Sequence, residues 1–419
     1  MLPDNLPSDL PDSIGAMRRM SPVSLCAYTL VNALGPGREA TLNGLRKQAS
    51  GLRPCDFLDV DIPTWIGRVD GVESEPLPAA LKSYESRNHR LAFMALQQDN
   101  FMAAVAAAVK RHGAGRIAVI IGTSTSSILE TELAYRAREP SSGRLPHNFR
   151  YRQTQNTFAP ADFIRTALGL EGPTLTISTA CSSSAKVFAS ATRMLEAGWC
   201  DAAVVGGVDS LCNTTLYGFN SLELVSDEPC RPADQDRKGI SIGEAAGFAL
   251  LERRGTDGDE YPALLGYGES ADAYHMSSPH PDGLWAAAAM RQCLTRAGLN
   301  PNDVDFTLLH GTATLTNDSA EDHALVSVLG ENVPCASVKG FIGHTLGAAG
   351  IMNVLMACIC MEEGFTPASL NTRAIDPAFK SRIMLEPEQR NLGTVLTNAF
   401  GFGGSNASLL LGWPARLQP

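Results

Sequence analysis

Leu175-Thr176-Ile177-Ser178-Thr179-Ala180-Cys181-Ser182-Ser183-Ser184-Ala185 is the stretch that decides the fold. An alternating β-branched run, Leu175 to Thr179, breaks off into small residues. A helical pattern then runs from about Ser182 to Ala197, so Cys181 is expected at a strand-to-helix turn. The positive end of a helix favours a thiolate and can lower a thiol pKa from ~8.5 to below ~7.5. A buried structural cysteine is the competing reading of the stretch taken alone.

Outward from that stretch, composition narrows the classes. The chain has 419 residues, 44% hydrophobic and 19% charged, with a net charge of −10. That size suits two core-bearing units or one large duplicated unit. The acidic balance argues against a nucleic-acid partner. Arg136, Arg138, Arg144, Arg150 and Arg152 form a local basic patch, readable as a site for an acidic partner or as a solvated loop. The ten cysteines include no C-x-x-C pair and no zinc-like Cys/His spacing, which predicts reduced thiols, a cytoplasmic setting and no structural metal. Arg18-Arg19 precede an apolar run that Ser24, Tyr28 and Thr29 interrupt, so a first strand is expected there in place of a secretion signal. No run of 18 apolar residues suggests a membrane span.

Residues 1–19, rich in Asp, Pro and Ser, read as a disordered extension. An α/β pattern follows: a strand at Val23 to Val31, a helix near Arg38 to Gln48, and one long helix around Ser86 to Arg111. A buried strand comes next at Ile117 to Gly122, and Thr123 to Phe158 reads as a helix and a long loop. After the cysteine unit comes a further buried strand, Asp201 to Val208. The second half replays this order: Ala263 to Tyr267, Asp305 to His310, Ala336 to Lys339 with a helix from Leu346, then Thr394 to Asn398 and Ala407 to Leu411. The reading is a duplicated α/β protein with halves at 20–259 and 260–416, its site lying where the halves meet.

Cys181, His310 and His344 all fall at expected strand ends. His310 lies in H-G-T-A-T; Lys339 stands five residues before His344 in K-G-F-I-G-H-T-L-G-A-A-G; and Asn398 to Ala407 reads N-A-F-G-F-G-G-S-N-A. In that last segment, glycines around Phe400 and Phe402 suit a backbone that donates N–H groups beside an aromatic gate.

With T-A-C-S-S-S, C-R-P-A-D-x-D-R-K-G-x-x-x-G-E and the three motifs above, the sequence resembles the β-ketoacyl-acyl-carrier-protein synthases of the thiolase superfamily, in their elongating Cys-His-His class. The resemblance covers residues 22–413. It implies two βαβαβαββ halves in a layered αβαβα thiolase-like fold, no cofactor, an acyl carrier protein as partner, and a homodimer or a heterodimer with a related subunit. Carried onto this chain, it makes Cys181 the nucleophile and His310 and His344 the stabilisers of an enolate. It gives the backbone N–H groups of Cys181 and Phe402 as an oxyanion hole, Thr312 and Thr314 as pantetheine contacts, and Lys339 with Glu321 as a supporting charge pair. For that last pair a purely structural role is the alternative. Priming synthases carry Cys-His-Asn and thiolases Cys-His-Cys, and His344 fits neither pattern.

Two positions depart from the family pattern. Ala313 replaces the glycine of H-G-T-G-T, and Ala233 stands where R-P-F-D carries a phenylalanine beside the site, so a wider acyl pocket is expected there. Thr125 falls where some members carry an acyl gate. The stretches K-V-F-A-S-A (186–191), G-V-D-S-L-C-N-T-T-L-Y-G-F (207–219) and H-G-T-A-T-L-T-N-D (310–318) look similar to synthases of aryl-polyene clusters. A non-catalytic partner subunit of the chain-length-factor kind is the alternative function, and the retained Cys181 speaks against it.

Overall fold

A computed structural model describes residues 18–253 and 260–414. The disordered extension expected at 1–19 falls almost wholly on residues 1–17, outside the described range. Eleven strands line up along one continuous sheet: β1 (Val23–Asn32), β2 (Ile117–Gly122), β3 (Thr174–Ile177), β4 (Ala202–Asp209), β5 (Ala245–Glu252), β6 (Ala263–Ala271), β7 (Phe306–Leu308), β8 (Pro334–Ala336), β9 (Arg382–Ile383), β10 (Thr394–Gly401) and β11 (Ser405–Gly412). Their spatial order is β9-β8-β7-β10-β11-β6-β1-β5-β4-β2-β3.

That order is a five-strand pattern used twice. From the middle outward the first half runs β1-β5-β4-β2-β3 and the second β6-β11-β10-β7-β8, with β9 added at its rim. In each half the outer strands pair in parallel and the inner ones antiparallel. The halves join where β1 and β6 pair antiparallel, Val23 with Leu264 and Ser24 with Ala263. The repeat visible in the sequence is therefore a repeat of strand pairing, and the architecture is the layered thiolase-like α/β fold.

The layers follow from which faces are apolar. Helix α6 (Ser183–Glu196) and helix α11 (Ala349–Glu363) pack on each other and on strands of both halves, forming the middle layer. Helix α11 is apolar on every side, as a helix flanked by sheets must be. The segment Leu346–Glu363 is long and apolar enough to cross a membrane, with a hydropathy of 1.4, although no uninterrupted 18-residue apolar run marks it. It is 89% buried inside the protein, which makes it a core helix.

Helix α1 (Gly37–Arg46) follows β1 and α7 (Asn213–Ser221) follows β4; α2 (Arg87–Leu96), α3 (Phe101–His112) and α5 (Ala159–Ala167) cover the outer face of the first half, and α8 (Leu284–Ala297) and α9 (Leu315–Leu329) that of the second. The single long helix expected at 86–111 is two helices. Asp99 and Asn100 take φ of +53° and +58°, a left-handed step that short polar residues tolerate and a continuous helix does not. The segment after β2 forms α4 (Ile128–Arg136) and then a loop reaching α5. Within its arginine patch, Arg136 pairs with Asp59 and Arg144 with Glu139, while Arg138, Arg150 and Arg152 stay exposed.

Candidate active site

Two strand ends and one helix end bring the key side chains together; His344, expected at a strand end, instead follows a short helix. Cys181 sits in the turn between β3 and α6, His310 follows β7, and His344 follows the short helix α10 (Lys339–Ile342). Their ligand-capable atoms all lie within 4.8 Å of one another, and all three residues are buried. The two imidazoles meet edge to face with centroids 5.3 Å apart, and Phe400 packs against His310 at 5.9 Å. A cavity opens over them, lined among others by Thr312, Thr314, Phe219 and Phe402.

The turn that holds Cys181 is strained and tightly enclosed. Ala180 has φ +51°, and Gly401 runs so close that a Cβ there would stand 2.7 Å from the Thr179 carbonyl. Only glycine allows the Phe400–Phe402 segment to lie against this turn. The backbone N–H groups of Phe402 and of Cys181 itself both favour the thiolate, as does the Lys339 ammonium. Burial outweighs them and pushes the Cys181 thiol up to about 11, reversing the low value expected from the helix end alone.

Both histidines are clamped from behind. The Leu346 N–H donates to His344 Nδ1 at 3.1 Å, so Nδ1 carries the lone pair and Nε2 the proton. Lys339 Nζ lies 3.5 Å from His310 Nδ1 and also donates to the His310 carbonyl oxygen, which assigns His310 the same tautomer. Burial holds both imidazoles well below their ordinary pKa, hence neutral. The residues therefore present two Nε2–H donors beside a sulfur. A Cys-His-His trio this close is ligand-like by spacing, but a metal would need the Nε2 lone pairs that these tautomers do not offer.

Lys339 and Glu321, the expected charge pair, make no direct ion pair, although the Glu321 charge is the strongest attraction acting on Lys339. Glu321 accepts from the backbone N–H groups of His310 (2.8 Å) and Gly311 (2.7 Å) and from Asn398 Nδ2 (3.1 Å). Lys339 instead reaches the carbonyl on the other side of His310. The two ions thus grip one residue from opposite ends. Burial raises the Glu321 carboxyl to about 7 and lowers Lys339.

Two expected pocket residues are not among those lining the cavity over Cys181. Ala233, at φ +62°, borders a separate small void with Leu309, Glu321 and Phe379, behind the His310 strand. Its small side chain opens space there and leaves the cavity over Cys181 as it is. Thr125 gives both its N–H and its hydroxyl to Asp209 and does not line that cavity. Thr312 and Thr314 do line it, their hydroxyls 2.9 Å apart. Ala313, between them, adopts φ +65°, the conformation a glycine takes without strain.

Sequence reasoning missed Phe219, whose ring packs 5.5 Å from Phe402, and the amides of Asn353 and Asn398. Asn353 Nδ2 donates to the carbonyls of Leu309 and Asn398, both at 3.1 Å. Its signal was present in the sequence: it is the one amide side chain within the apolar helix α11.

The class is settled by comparison as well as by this site. Residues 21–256 match the family "Beta-ketoacyl synthase, N-terminal domain" and residues 261–373 match "Beta-ketoacyl synthase, C-terminal domain". The chain belongs to the β-ketoacyl synthase family. It is 35% identical over 279 residues to 3-oxoacyl-[acyl-carrier-protein] synthase 2 of Rhizobium meliloti (strain 1021), covering 61% of this chain and 66% of that protein. It is 37% identical over 263 residues to the mitochondrial 3-oxoacyl-[acyl-carrier-protein] synthase of Arabidopsis thaliana, covering 58% of this chain and 57% of that protein. It thus spans less than two thirds of either relative. The structure of the ketosynthase ApeO in complex with its chain length factor ApeC, from Xenorhabdus doucetiae, contains a chain that is 38% identical. That likeness has a TM-score of 0.85 and covers 94% of this chain and 98% of the other.

Proposed function

We propose that this protein is a condensing acyltransferase that extends an acyl chain held on Cys181 by two carbons taken from a malonyl thioester, both substrates arriving on an acyl carrier protein. The observation that carries the reading is the pair of neutral imidazoles whose Nε2–H groups converge beside Cys181.

In the first half-reaction Cys181 Sγ attacks the thioester carbonyl. A new C–S bond forms, the carrier's C–S bond breaks, and the thiol proton leaves with the carrier's sulfur. The N–H groups of Cys181 and Phe402 stabilise the tetrahedral oxyanion, each such donor contributing ~3 kcal/mol. In the second, the bond from the malonyl methylene to its carboxylate breaks, CO2 departs, and the electron pair becomes an enolate. Its oxygen accepts from His310 and His344. The enolate carbon then attacks the acyl-Cys181 carbonyl and expels the Cys181 thiolate, giving a 3-oxoacyl thioester. Thr312 and Thr314 hold the pantetheine arm. The reaction as proposed draws on no metal or organic cofactor.

We assign the protein a dimeric state in a reducing, cytoplasmic setting, within an aryl-polyene-type pathway. Strand β3 ends the sheet with Leu175 43% exposed, which favours a second subunit alongside. None of the ten cysteines is in a disulfide bond. The likeness to a chain of the ApeO–ApeC complex favours a heterodimer over a homodimer.

Intact-protein mass spectrometry tests the reading. Wild type mixed with acyl carrier proteins should gain acyl mass and lose it on addition of malonyl carrier protein, whereas Cys181→Ala should never gain it. Absence of acylation across a range of acyl lengths would favour a partner subunit without synthase activity.

A further inference from the structure

Beneath the catalytic trio, at the end of β4, lies a carboxylate the mechanism does not use. Asp209 is completely buried. Its Oδ1 accepts from Thr123 Oγ1 (2.6 Å), Thr125 N (3.0 Å) and Thr125 Oγ1 (2.9 Å). Its Oδ2 accepts from Ser124 N (2.8 Å) and Gly347 N (2.6 Å). Burial raises its carboxyl above the usual range, while these donors, three backbone N–H groups among them, favour the charged form.

The partners come from opposite halves of the molecule. Thr123–Thr125 follow β2 in the first half, and Gly122 there packs so tightly on α6 that a Cβ would stand 2.4 Å from Ser184 N. Gly347 belongs to the second half, three residues after His344 and one after Leu346, whose N–H sets the His344 tautomer. A Cβ on Gly347 would stand 2.5 Å from both Asp209 Oδ2 and Ser124 N. The His344 loop is thus seated directly on the floor that carries the Cys181 helix. Asp209 also bears on the thiol itself, its charge opposing the Cys181 thiolate while Lys339 favours it.

We infer that Asp209 is a positioning residue that docks the His344 loop against the Cys181 half, so that it serves decarboxylation and condensation and not acyl capture. This inference rests on the ketosynthase reading above. The titratable groups facing Cys181 are Lys339, His310, His344 and Asp209, and Asp209 is the one carboxyl among them.

Asp209→Asn and Gly347→Ala separate the two effects. In Asp209→Asn an amide N–H2 faces backbone donors and the charge is gone. Acylation of Cys181 should stay within about threefold of wild type, malonyl decarboxylation should fall at least about tenfold, and the pH midpoint of Cys181 alkylation by iodoacetamide should move down by on the order of half a unit. Gly347→Ala displaces the loop but keeps the charge, so decarboxylation should fall with the alkylation midpoint unmoved. Equal loss of both half-reactions, loss of neither, or an unchanged midpoint in Asp209→Asn would overturn the inference. If Asp209→Asn does not fold, the Gly347→Ala half-reactions decide it. A wild type that is never acylated would sink the ketosynthase reading instead, while alkylation would still report on the Asp209 charge.

Discussion

Leu346 N–H donates to His344 Nδ1 at 3.1 Å, and this contact decides which way the imidazole can act. With Nδ1 occupied as acceptor, Nε2 can only donate toward the cavity. His344→Ala should lower condensation and malonyl decarboxylation by about 10²- to 10³-fold, the cost of one oxyanion donor, while acyl capture persists. A stopped assay of carbon dioxide release beside intact-mass measurement of the acyl-enzyme checks this. Parallel collapse of both steps would refute the division of labour.

Cys181 is a protonated thiol at neutral pH, because burial raises its pKa to about 11 against the pull of Lys339. Iodoacetamide alkylation should be slow at pH 7 and climb steadily through pH 9 with no plateau between. Lys339→Ala should shift that rise to higher pH and loosen His310. A plateau reached by pH 7 would show that the helix end prevails over burial.

Acid should destabilise the fold through three buried histidines. Burial lowers the pKa of His310 and His344 well below 6.5 and that of His89 to about 4, so the unfolded chain binds protons near pH 6.5 that the native state refuses. Stability is therefore fully present above the unfolded pKa and falls as pH drops below it, by about 1.4 kcal/mol per pH unit for each histidine. Glu321, raised to about 7, works in the opposite sense between its unfolded value and 7 and offsets one of them. Urea unfolding between pH 7 and pH 5 should show a net loss corresponding to about two protons per chain.

Removing the Asn353 amide leaves two buried carbonyls, those of Leu309 and Asn398, without their donor. Asn353→Leu should cost about 2 to 3 kcal/mol in urea unfolding. It should also lower condensation, because Leu309 immediately precedes His310. Unchanged stability would mean that the two strand ends need no bridge.

Ala233→Phe tests the relocated void. The side chain at 233 points to space behind the His310 strand, bordered by Phe379 and Glu321 and separate from the cavity over Cys181. Product chain length should stay as in wild type while thermal stability changes. A shortened product would return position 233 to the acyl pocket.

Much of this protein is legible in its residues. Strand and helix periodicity located the elements, because a short β-branched apolar run such as Ile117 to Gly122 suits a buried strand, and the repeated order of runs revealed the duplication. Cys181, His310 and His344 were readable because the glycines and small residues beside them serve close approach, which packing alone does not need. Local chemistry sufficed for these.

What the sequence could not determine is every effect that depends on distance through space. The Cys181 pKa is set by how much water the fold removes, and no local pattern records that. Lys339 and Glu321 read as a pair by charge, yet each binds the His310 backbone instead, because strand ends place amides and carbonyls where a sequence shows only residue names. Asp209 carries no local signal, standing just after the apolar strand read at Asp201 to Val208. Only the tertiary structure put it under two loops separated by more than two hundred residues, where its buried carboxyl accepts from the backbone of both.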